Sequence, residues 1–152
     1  MTAFDAIITA LQTALAQIRI ANGYRTDAGA LVHLNLEYQT APKQTPCLIL
    51  FPGEITDTID GDIPPSQGEE NHFLPITVEG WIADSESGAE GQKLRQDILK
   101  ALKVDQFLGG LTEGFSGSVT SSTTIEDAGA EGFLGFVQVI ATIHYVTAWG
   151  DI

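Results

Sequence analysis

Phe133-Leu-Gly-Phe-Val-Gln-Val-Ile-Ala-Thr-Ile-His-Tyr-Val-Thr147 is the stretch on which the architecture turns. Val137, Val139, Ala141, Ile143 and Tyr145 recur at every second position, with Gln138, Thr142 and His144 between them. That period of two predicts a strand with one apolar and one polar face. At about 3.4 Å per residue the run would extend roughly 50 Å if unbroken, longer than a domain of this size needs. Gly135 therefore marks a bend, or the strand projects as part of a hairpin. The Ser- and Thr-rich segment Ser116 to Ile125 reads as its weaker partner and Glu126 to Gly132 as the turn, so the chain closes on a long β-hairpin.

Upstream, His72 to Ala83 alternates in the same way, with Leu74, Ile76, Val78 and Ile82 sharing a face with Gly80. Pro75 has no N–H to give a ladder, so that end is expected at a sheet edge or bulge. Cys47 to Phe51 is continuously apolar, as a strand buried on both faces would be. Ala41 to Pro46 reads as the turn joining it to an alternating strand at Val32, Leu34, Leu36 and Tyr38. Two helices complete the set. Phe4, Ile7, Ile8, Leu11, Leu15 and Ile18 form an amphipathic stripe over residues 2 to 21, with Thr2 as cap and Asn22-Gly23 as stop. Leu94, Ile98, Leu99 and Leu102 mark a second helix ending near Val104, capped by Ser85, Ser87 or Asp84. The order is α-β-β-β-α-β-β, and the expected fold class is α+β: a mainly antiparallel sheet with two helices packed against it, as one domain over residues 1–152.

The 152 residues are 43% hydrophobic, with 20 acidic and 7 basic side chains and a net charge of −13. Such a chain lacks the clustered Lys and Arg that phosphate binding requires, and it is repelled by anionic membranes. The N-terminus shows no basic region ahead of an apolar core, so a cytoplasmic origin is expected. His33, His72 and His144 lie on separate predicted strands without metal-ligand spacing, and are read as ordinary strand-face residues rather than ligands or bases. Cys47 sits in an apolar run and reads as an inert core thiol. Gly114-Phe-Ser-Gly-Ser118 has its second glycine misplaced for a nucleophile elbow, and Gly109-Gly110 lacks the residues of a phosphate loop. Neither a catalytic site, nor a cofactor, nor a metal is expected.

The acidic stretch 53–92 is the most unusual feature: ten carboxylates, no Lys and no Arg, hence −10 of the −13. Within it Glu54, Asp57, Asp60, Asp62, Glu69 and Glu70 lie on a predicted long surface loop, Glu54 to Glu70, that contains Pro64-Pro65. Asp57, Asp60 and Asp62 are conceivable calcium ligands, but Ile59 occupies a position that an EF-hand fills with oxygen, and a solvated or partner-facing surface is the competing reading. Trp81 and Trp149 are either packed in the core or rim, or anchors at a subunit interface.

Laid out in order, the N-terminal helix and strand, Pro46-Cys-Leu-Ile-Leu-Phe-Pro52, Leu74-Pro-Ile-Thr-Val-Glu-Gly80, the helix Gly91 to Leu102, Phe107-Leu-Gly-Gly-Leu111 and the closing hairpin with its Tyr145-to-Trp149 tail resemble the tail terminator (tail completion, minor tail) proteins of long-tailed bacteriophages. The likeness covers nearly the whole chain. It implies a structural virion protein, assembled in the host cytoplasm, that forms a ring, typically a hexamer, at the head-proximal end of the tail. Its implied partners are copies of itself, the tail tube protein and the head-tail connector or neck protein. DNA would pass through the lumen without specific binding. Some carboxylates of residues 54–90 are then expected to face the channel or the partner ring. A head-completion or neck protein, and from other classes a calcium-dependent binding module or small hydrolase, remain as alternatives.

Overall fold

The computed structural model describes residues 2–37, 42, 44–57 and 69–148. In chain order it contains α1 (Ala3–Ala16), β1 (Val32–Leu34), β2 (Cys47–Pro52), β3 (Glu69–Asp84), α2 (Ala89–Val104), β4 (Gly114–Phe115), β5 (Thr120–Asp127) and β6 (Phe133–Ala148). This is an α+β fold. Its axis is the antiparallel ladder between β3 and β6, which runs without slip from Glu69 opposite Ala148 to Asp84 opposite Phe133. The two strongest alternations in the sequence thus lie side by side, and both apolar faces turn the same way.

The sheet runs β1-β2-β3-β6, and β4 and β5 share the far side of β6. Every pairing is antiparallel except β1 with β2, which is parallel. A tight turn at Ala41 to Pro46 cannot by itself join them, because parallel neighbours need a connection of about a dozen residues; Ala41 and Lys43 of that expected turn lie outside the described residues. Asn35, at φ 55°, starts the connection by turning out of β1 while its N–H donates to Leu50 O at 2.9 Å. β1 is accordingly shorter than its alternation predicts, Leu34 and Leu36 are exposed, and Tyr38 lies outside the described residues.

Both helices cover one face. Ile7, Ile8, Leu11 and Leu15 of α1 and Leu94, Ile98 and Leu102 of α2 meet Leu48, Leu50, Leu74, Ile76, Val78, Val137, Val139, Ile143 and Tyr145. Each such buried aliphatic chain contributes about 1.5–3 kcal/mol. Gly80 lets α2 come down onto the sheet, since a Cβ there would sit 2.8 Å from Leu94 Cδ2. α1 begins with the expected Thr2 cap, completed by Asp5 into a reciprocal box. It stops at Ala16, short of the predicted Asn22. Ile18 stays buried, but the chain has left the helix: Gly29 packs on the Leu15 and Ala16 carbonyls, and Asp27 takes the N–H of Ile20 at 2.9 Å.

Pro75 is not at a sheet edge, because β2 and β6 flank β3. Its missing N–H falls instead where β2 has just ended, opposite residues 53–55, and Gly53 N–H donates to Pro75 O at 2.7 Å. The bulge half of that expectation is the correct one.

Candidate functional site

The acidic stretch meets the sheet at one corner. After β2 the chain returns to the ladder at Thr56, which exchanges backbone hydrogen bonds of 3.0 and 2.7 Å with Phe73. That bridge sets Asp57 beside His72. An ionised carboxylate can only accept, so His72 Nδ1–H donates to Asp57 Oδ1, at 2.9 Å. On the other side of the ring, Nε2 lies 2.7 Å from Thr147 Oγ1 and 3.8 Å from Glu70 Oε2. The imidazole is buried and stacks on Tyr145 with 4.8 Å between ring centres. Burial, and then the charge of Asp57, push the Tyr145 hydroxyl above its ordinary pKa, and that hydroxyl has no hydrogen-bond partner among the described residues.

His72 is thus more than a strand-face residue: it ties the acidic stretch to the β3–β6 ladder. The missed partner, Asp57, is fifteen positions away, and only the Thr56 bridge brings it close. His144 is anchored too, with Nε2–H donating to Asn71 Oδ1 at 2.8 Å and its ring stacked on Phe73. Of the acidic candidates, Glu54, Asp57, Glu69 and Glu70 flank this corner, with Glu54, Asp57 and Glu69 exposed. Asp60, Asp62 and Trp149 lie outside the described residues. Trp81 is on the face away from the helices, half-buried against Phe136 with 4.7 Å between ring centres.

That face carries a cleft of about 430 Å³ lined by Glu37, Phe51, Thr77, Glu79 and Gln138. Burial, and then the neighbouring charge of Glu37, raise the pKa of Glu79, so its carboxyl holds a proton more readily than a solvated one. Among the described residues no group of three or more His, Cys, Asp or Glu is placed to hold a metal ion. No helix among them is long and apolar enough to cross a membrane.

Two further surfaces stand out. β5 is exposed along its length except at Thr123, and no described strand pairs with its outer side. Its Thr120-Ser-Ser-Thr-Thr-Ile125 carries neither charge nor proline. Arg95 Nη1 reaches it, donating to Ser121 Oγ at 3.2 Å. Beside it, α2 packs against the segment 19–27 through the buried Asp97, whose carboxylate accepts from the N–H groups of Arg25 and Thr26 and the Thr26 hydroxyl, at 2.6–3.1 Å. Asp97 had a signal in the sequence, an acid between Leu94 and Ile98 on the apolar stripe of a helix.

No protein-family model matches the chain, and no curated protein matches it.

Proposed function

We propose that the chain is a structural, non-catalytic virion protein that forms a ring, of six copies by the resemblance, on the finished end of a phage tail tube. The ring stops further polymerisation and presents the surface for head-tail joining. The observation that carries this reading is the outer edge of β5. Natural sheets guard such edges with lysine, proline or a covering element, because unpaired N–H and C=O groups recruit another strand. Here six consecutive uncharged residues, three threonines and an isoleucine among them, are left open, as suits an edge that a second chain completes. A contact between unlike surfaces of identical copies closes into a ring when its rotation divides a circle. The acidic balance supports the passage of DNA, since an anionic wall repels phosphate.

The test is mass measurement and electron microscopy of the purified protein with and without tail tubes. Rings seated at tube ends, and tubes that no longer elongate, are expected; monomers indifferent to tubes overturn the reading. Rings that seat on head portals instead would identify the neck protein of the same assembly.

One observation favours a second reading, a small hydrolase. Asp57, His72 and Thr147 stand in the order carboxylate, imidazole, hydroxyl that activates nucleophiles. The ring between them is buried and stacked on Tyr145, which suits a tie between chain segments better than a base that must meet substrate. Hydrolysis of an activated ester, lost in Thr147→Val, would decide for the enzyme.

A further inference from the structure

Resting on the ring reading, we infer that each copy grips the next by setting the cationic, apolar surface of α2 and the segment 19–25 against its neighbour's acidic corner. Charge is partitioned in this molecule. Six of the seven basic residues, Arg19, Arg25, Lys93, Arg95, Lys100 and Lys103, lie on α2 or on residues 19–25, which Asp97 and the bond from Lys100 Nζ to Gly23 O hold against it. The acids on these two segments are largely engaged. Glu90 pairs with Lys93 at 2.9 Å, Asp97 is buried, and Asp105 just beyond α2 accepts from Gly109 N–H.

A copy carrying −13 repels another over most of its surface. Where the cations are concentrated, that repulsion turns to attraction. These segments also carry exposed apolar side chains, Ile20 (59% exposed) and Val104 (70%), the latter lining one cleft with Lys100 and Tyr24. Apolar groups beside concentrated cations are the composition of a docking site, and the complementary sign is that of this chain itself.

The acidic corner is the matching half. Glu54 and Asp57 follow β2, Glu69 and Glu70 open β3, and the Thr56–Phe73 bridge and the His72 tie hold the two stretches together. The halves are different surfaces of the molecule. The corner lies on the β2 side of β3 at the Glu69 end of the ladder, while α2, with the segment 19–25 held against it, lies on the helix-covered face of the sheet. Contact between unlike surfaces is the head-to-tail arrangement that a ring needs.

The experiment compares assembly, by mass, of the wild type, Lys100→Glu/Lys103→Glu, Glu69→Lys/Glu70→Lys and an equimolar mixture of the two variants, with circular dichroism to show that each is folded. Each exchange moves the charge by two, so the first pair takes −13 to −17 and the second takes −13 to −9. A general charge effect would weaken assembly in the first and strengthen it in the second. The proposed contact predicts that both variants lose assembly, with the half-assembly concentration raised roughly tenfold or more. The mixture regains it, because every second contact pairs the exchanged surfaces. A wild type that assembles while the variants assemble equally well overturns the contact and leaves the ring reading standing. Two disabled variants that do not rescue one another overturn the pairing of these surfaces. A wild type that stays monomeric with and without tail tubes defeats the ring reading, and this contact with it.

Discussion

Asp97 is the only buried acid among the described residues, and it carries a local fold on one carboxylate. Replacing it with Ala strands the N–H groups of Arg25 and Thr26, and hydrogen bonds to a charged acceptor are worth more than neutral ones. Asp97→Ala should cost about 3 kcal/mol in urea unfolding and Asp97→Asn, which keeps one acceptor oxygen, about half as much. Glu79 makes the opposite case. Its pKa is raised above the ordinary 4.5, so the fold favours the neutral form. Its contribution is whole below the ordinary value and is lost as pH rises through the raised one. Glu79→Gln should therefore be more stable than the wild type near pH 7 by about 0.5 kcal/mol, the scale of partly exposed charges, with the advantage gone near pH 4. Equal urea midpoints at both pH values would refute it. Neither Asp97 with residues 25–26 nor Asp57 with His72 can be paired from local pattern, since their separations in sequence carry no period.

The two central strands were legible from their period-two alternation, which admits one register against a covered face, although β3 begins at Glu69, ahead of the expected His72 and inside the stretch read as loop. β6 runs Phe133–Ala148 where the alternation predicts Phe133 to Thr147. What local pattern could not carry was direction and exit: the parallel sense of β1 depends on the path of residues 35–46, and α1 ends early because Gly29 and Asp27 compete for its last turn. The choice among Ser85, Ser87 and Asp84 as cap is likewise settled in space. Asp84 accepts from Glu90 N–H and Gly91 N–H across a Gly88 turn. Gly135, expected to mark a bend if the hairpin does not project, serves that cap, since a Cβ there would lie 2.6 Å from Asp84 Oδ2 and 3.2 Å from Gly91 Cα. Gly135→Ala should cost about 2–3 kcal/mol, by overpacking. Asp84→Ala should cost about 1–2 kcal/mol, by loss of the cap. The double variant should lose less than the two together, because Ala at 84 removes the oxygen that the new methyl strikes. Strict additivity in thermal melts would show that the close approach is relieved elsewhere.

At the scale of the molecule, stability and association draw on different parts of the chain. The core lies between the helices and one face of the sheet, whereas β5 is exposed along almost all of its length. Lysine at Ser122 and Thr124 should therefore leave the fold nearly untouched, with melting shifts on the scale of about 0.5 kcal/mol, as for surface changes generally. The same two charges are the device by which natural edges refuse a partner strand. If β5 is the edge that a neighbour completes, Ser122→Lys/Thr124→Lys stays folded and monomeric where the wild type assembles, and tail tubes continue to elongate in its presence. Lysine also lowers the excess of acid, so weaker net repulsion would by itself promote association. Loss of assembly could then come only from the blocked edge, and assembly equal to or stronger than the wild type would mean that the ring closes without β5.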